Sequence, residues 1–178
     1  MRLRVVLVSI VLGVGALQAQ DPTPEGVQPV WNVKTMCREL SDQLSRFDPV
    51  LEKVKPREWK QSGDAYAKQL EDLEKQIGYL KRTLGELAAD PGRMTKALEA
   101  FLRMQTVESM MRSMIEGVRR YQNPAMADLL EGVLNEVGPY AQALQDYLVQ
   151  LVAQKEAEFK IIDEEAQRCR KQLIQGKD

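Results

Sequence analysis

Histidine is absent from this chain, and other sources of reactive chemistry are thin. Without histidine there is no His-bearing zinc site, no Glu-x-x-His di-iron pattern, no His-ligated haem and no Ser-His-Asp triad. Cysteine occurs twice, at Cys37 and Cys169, too far apart for a C-x-x-C redox motif and without a thiolate-activating setting. Aromatic residues make up 6% of the chain, and glycine and proline are sparse after residue 30, which argues against a sheet protein. No phosphate-binding glycine loop and no nucleophile elbow is present. Neither charge sign dominates: 25 basic residues face 26 acidic ones. Removing Arg2 and Arg4 with the leader described next leaves 23 against 26, a net charge of −3, which argues against non-specific nucleic-acid binding.

The leader reads MRLRVVLVSIVLGVGALQAQ. A basic start, an apolar run over Val5–Leu17 and a small-residue site ending at Ala19 are the marks of a secretory signal peptide. The run is short for a membrane span, so no stable span is expected after cleavage. No cysteine follows the site, which argues against a lipoprotein anchor. The expected organisation is a signal peptide over 1–19, an extended proline-bearing tether over 20–30, one helical domain over 31–175 and a frayed tail over 176–178, in a secreted or periplasmic protein.

What the chain does have is apolar residues at helical spacing. Val33, Cys37, Leu40, Leu44, Phe47, Leu51 and Val54 step alternately by four and three, a heptad seam. Trp59, Gly63, Tyr66, Leu70, Leu73, Ile77, Leu80, Leu84 and Leu87 form a second. Met94, Leu98, Phe101, Met104, Met111, Ile115, Val118 and Tyr121 mark a third stripe. A last stripe runs through Leu144, Leu148, Leu151, Phe159, Ile162, Ala166, Cys169 and Leu173, with a gap at Lys155. Asp48-Pro49, Lys55-Pro56 and Asp90-Pro91-Gly92 punctuate the chain, and Asp90 with Pro91 suits the start of a helix. The fold class is therefore all-α: an elongated antiparallel four-helix bundle, coiled-coil-like, with a long C-terminal helix.

Two sites can reverse the chain before the last helix, Asn123-Pro124 and Gly138-Pro139. In an exported protein one cysteine pair most simply forms one disulfide, Cys37–Cys169, whose Cα atoms must then lie within about 7 Å. Counting levels along the bundle, that bond requires a third helix running to residue 137 with a kink at Pro124, and the reversal at Gly138-Pro139. A two-helix tip over residues 126–150 would then rise clear of the other helices. Leu130, Leu134, Leu144 and Leu148 would expose apolar surface there for another protein or a second copy of the chain.

The remaining candidates are weaker. Carboxylate runs such as Glu71, Asp72, Glu74 and Asp163, Glu164, Glu165 interleave with Lys and Arg, the pattern of solvated helix faces. Met110, Met111 and Met114 fall within about a turn, and thioethers suit Cu(I), but methionine also fills irregular cores. Lys53, Lys55, Arg57 and Lys60 beside Trp59 could touch an anionic surface or simply form a solvated loop. No catalytic residue, cofactor or metal ligand is assigned. The expected function is that of an exported, non-enzymatic bundle acting by protein–protein contact in a structural, adaptor or chaperone-like role, with periplasmic metal handling through the methionine cluster as the alternative.

Overall fold

A computed structural model describes residues 30–61 and 63–175. The expected signal peptide, nearly all of the tether and the tail 176–178 lie outside the described residues. The chain forms α1 (Val30–Ser45), a short α2 (Asp48–Leu51), a 3-10 turn (Pro56–Glu58), α3 (Gly63–Ala89), α4 (Met94–Tyr121) and α5 (Pro124–Gln175). Among the described residues there is no strand. No helix among them is long and apolar enough to cross a membrane.

The four long helices run alternately up and down in a ring, α1 against α3, α3 against α4, α4 against α5 and α5 back against α1. All seven members of the first seam, Val33 to Val54, are buried. So are Leu73, Ile77, Leu80, Leu84 and Leu87 of α3. Burial of about 25 cal/mol per Å² of apolar surface along these seams is the main force that holds the bundle. Thr83 is the buried polar side chain among the described residues, and its hydroxyl donates to the Tyr79 carbonyl one turn back at 3.0 Å. No buried side-chain polar atom among them lacks a partner.

The third stripe holds from Met104 to Val118 but departs from its expected position over the first turns of α4. Met94 and Leu98 point outward, and Ala97 and Ala100 line the core in their place. The buried face continues through Met104, Val107, Met111, Met114, Ile115 and Val118. Reading large side chains as the inner stripe fails where alanines let two helices approach closely. At the other end of α4, Gly117 lies against the Tyr66 ring: a Cβ there would fall 2.6 Å from Tyr66 Cε1. Trp59, Tyr66 and Tyr121 pack together with centroids 5.1 to 5.9 Å apart and close that end of the bundle. Gly63 is needed where α3 starts, because a Cβ would sit 2.5 Å from the Pro56 carbonyl oxygen.

The reversal before the last helix lies at Gln122-Asn123, not at Gly138-Pro139. Asn123 caps α5: its Oδ1 accepts from the Ala125 N–H at 2.9 Å, and Pro124 occupies the first helical position. Arg119 clamps the two helices by pairing with Asp128 at 2.6 Å and Glu131 at 2.7 Å. Pro139 sits inside α5 without ending it. It lies on the solvent face, as does Asn135, whose carbonyl loses its helical donor and is left facing water. On the opposite face Leu130, Leu134, Val137, Leu144, Tyr147 and Leu148 are buried on both sides of the proline, with half-buried Tyr140 and Ala141 between them. That burial outweighs a local helix cost of about 3 kcal/mol. The kinked third helix reaching residue 137 is thus replaced by two helices meeting at residues 122–123.

The start of α4 also shifts. Asp90-Pro91-Gly92 forms a turn, with the Arg93 N–H donating to the Asp90 carbonyl at 3.2 Å, and the helix begins at Met94 without a side-chain cap. Pro91 is buried, and its carbonyl accepts the hydroxyl of the buried Tyr147. This contact brings residue 147 of α5 level with the α3–α4 turn.

Candidate functional site

The corrected reversal changes the position of every residue expected to face a partner. Leu130, Leu134, Leu144 and Leu148 all belong to the core, packed in the bundle rather than raised above it. The two-helix tip over 126–150 does not exist, because those residues form the half of α5 that closes the ring. The surface beside them is single and scattered, as at Leu129.

The expected Cys37–Cys169 bond is not formed: both thiols are free, Cys37 buried and Cys169 exposed. Cys37 lies near enough to Tyr147 to influence its ionisation. Cys169 is 22 residues further along the same helix, about 33 Å away. A disulfide tolerates a Cα separation of about 7 Å. Burial pushes the Cys37 thiol up to about 12, so it is a poor nucleophile. An open groove of about 430 Å³ between α1 and α3 touches Cys37 and is rimmed by Lys34, Arg38, Asp42 and Lys81, with charges of both signs. It holds no activated group.

Of the methionine cluster, Met111 and Met114 are fully buried in the core and Met110 is half-buried against it. Met111 and Met114 fill space between helices, so neither thioether lies at the surface. Among the described residues no group of three His, Cys, Asp or Glu side chains is placed to hold a metal. The basic residues Lys53, Lys55, Arg57 and Lys60 are exposed, but Trp59 between them is turned inward. Its indole N–H donates to Gln122 Oε1 at 3.2 Å. The patch therefore has no free aromatic face.

The large unpartnered surface lies at the far end of α5. The last member of the helix in the core is Leu151. Residues 152–175 continue for about 36 Å beyond it. The apolar stripe does not stop with the bundle: Phe159, Ile162, Ala166, Cys169 and Leu173 carry it on at steps of three and four. Phe159 is 66% exposed, Ile162 60% and Leu173 71%. Val152, Lys155 and Glu158 are half-buried, and every other residue of this arm is exposed. The stripe was legible in the sequence. Its lack of cover was not, because that depends on where the chain turns.

No family model, no curated protein and no solved structure matches this chain.

Proposed function

We propose that this is an exported, non-enzymatic helical bundle that works through protein–protein contact, as a structural or adaptor module, and that its contact surface is the arm formed by residues 152–175 of α5. The observation that carries the reading is the continuation of a core seam onto a helix that none of the other described residues covers. An isolated surface leucine needs no explanation, but five stripe positions over two heptads along one helix face do. Helices with such a stripe bind by laying it against another amphipathic helix. The bundle supplies the anchor: it holds one end of the arm rigid, so the arm loses little conformational freedom when it docks.

The test compares the mature chain with a form ending at Ala153. Every buried residue of the bundle is retained in the shorter form. It should keep its melting transition while losing association in sedimentation and in co-purification from the source extract. Undiminished association without the arm would refute the reading.

A further inference from the structure

We infer that the arm pairs with the arm of a second copy of this chain, antiparallel, in a two-fold symmetric dimer. The inference rests on the proposed role of the arm and names its partner.

Charge points to the orientation. Residues 152–165 carry five carboxylates, Glu156, Glu158, Asp163, Glu164 and Glu165, against Lys155 and Lys160. Residues 166–175 carry Arg168, Arg170 and Lys171 and no acid. An antiparallel partner lays the basic end of each arm beside the acidic stretch of the other. A parallel, in-register partner sets like charges side by side.

The bundle itself gives a second, independent reason. The stripe face of α5 is occupied by α1 and α4 as far as Leu151. A parallel partner in register would have to pass its own residues before 152 through that space. An antiparallel partner approaches from the free end and stops short of the bundle.

The heptad positions fix the register. Phe159, Ala166 and Leu173 fall at one seam position, Ile162 and Cys169 at the other. Setting Leu173 against the partner's Ile162 places Ala166 against the partner's Cys169, and symmetry repeats both layers. The same register puts Asp163 beside the partner's Arg170, twice per dimer, with no carboxylate opposite another across the seam. Sliding by one heptad toward the bundles would bring Asp163 and Glu165 against their own counterparts. Small Ala166 near the two-fold axis allows close approach. Ile161 and Ile174 remain outside this seam. The overlap is about two heptads, so the dimer is small and reversible.

Sedimentation equilibrium of the mature chain, carried into the high-micromolar range, should show a monomer–dimer equilibrium that weakens with salt. Ile162→Asp should abolish the dimer and leave the melting transition of the bundle in place. Asp163→Arg should weaken it several-fold, and adding Arg170→Asp to the same chain should restore it. A spin label at Ala157→Cys in a Cys169→Ala background should report a pair distance of about 30 Å or more. A monomer at all concentrations would overturn the inference, as would failure of the charge swap to restore pairing. A label distance under about 20 Å would mean a parallel pair and would also overturn it. If removing residues 1–29 turned a monomer into a dimer, the leader segment would be the occupant instead. A monomer whose arm still captures a different protein, and loses it on Ile162→Asp, would reject self-pairing and leave the contact role standing.

Discussion

Gln122 holds the first loop of the chain against the last turn. Its Oε1 accepts from the Lys55 backbone N–H at 2.9 Å and from the Trp59 indole at 3.2 Å. Its Nε2 donates to the Lys53 carbonyl at 2.8 Å. One side chain, placed just before the Asn123 cap, therefore serves three polar groups of a loop that has little regular structure of its own. Gln122→Ala removes these bonds and leaves the half-buried indole N–H without a partner. The expected loss is about 1–3 kcal/mol in chemical denaturation, with a shift in Trp59 emission. An unchanged midpoint would mean that the loop is held by the aromatic packing alone.

The two thiols should behave differently. With Cys37 buried and Cys169 exposed, a thiol reagent should modify one cysteine in native protein and two after denaturation. Adding reductant should leave the melting temperature of the monomer unchanged. Protein with no titratable thiol in denaturant would restore the intramolecular bond and displace the Asn123 reversal with it.

Alkaline pH should weaken the bundle through two buried acids. Burial raises the Cys37 thiol from 9.0 to about 12, and burial raises the Tyr147 hydroxyl from 10.0 to about 12. In both cases the native state holds its proton more tightly than the unfolded chain does. The contribution is complete below pH 9, where both states are protonated, and is lost as pH rises from there to about 12. The slope should approach about 1.4 kcal/mol per pH unit for each group. Cys37→Ala should move the onset up toward the ordinary range of tyrosine. A denaturation midpoint that stayed flat to pH 11 would contradict the burial of both groups.

Pro139 offers a direct check on the path of the chain. Inside a helix, Pro139→Ala restores the N–H that the Asn135 carbonyl lacks. The gain, up to about 3 kcal/mol, is reduced by about 1 kcal/mol because the unfolded chain becomes more flexible. A net stabilisation of about 1–2 kcal/mol is expected from thermal or urea unfolding. At a true reversal the same substitution would be neutral or harmful.

The seam from Val33 to Val54 and its counterpart from Leu73 to Leu87 were legible from their alternating steps of three and four, although buried Met36 lies outside the first and Gly63, Tyr66 and Leu70 of the second are only half-buried. The chain reversal was not. Asn123-Pro124 and Gly138-Pro139 can each end a helix, and a proline is tolerated inside one where its freed carbonyl faces water and burial of the opposite face offsets the cost. Whether position 139 faces water depends on the rotation of α5 against α1 and α4, which no local signal encodes. With the reversal at Gln122-Asn123 the two cysteines lie far apart, Leu130–Leu148 belong to the core, and the exposed stripe is Phe159–Leu173. The first turns of α4 differ from expectation because Ala97 and Ala100 carry little hydrophobic signal yet are fully buried.

α5 is one helix whose two lengths owe their order to different sources. As far as Leu151, breaking a backbone hydrogen bond means opening the core. Beyond it the amides depend on helix propensity and on neighbours such as Glu158, which accepts from Gln154 at 2.7 Å and from Lys155 at 2.8 Å. Exchange of amide hydrogen for deuterium should therefore span nearly the whole range of the protein within a single element, slow along Leu130–Leu148 and fast along Ile161–Ile174. Whatever covers the arm must raise the protection of the second stretch toward that of the first. The isotope gradient along this one helix is a built-in gauge of whether the arm is occupied.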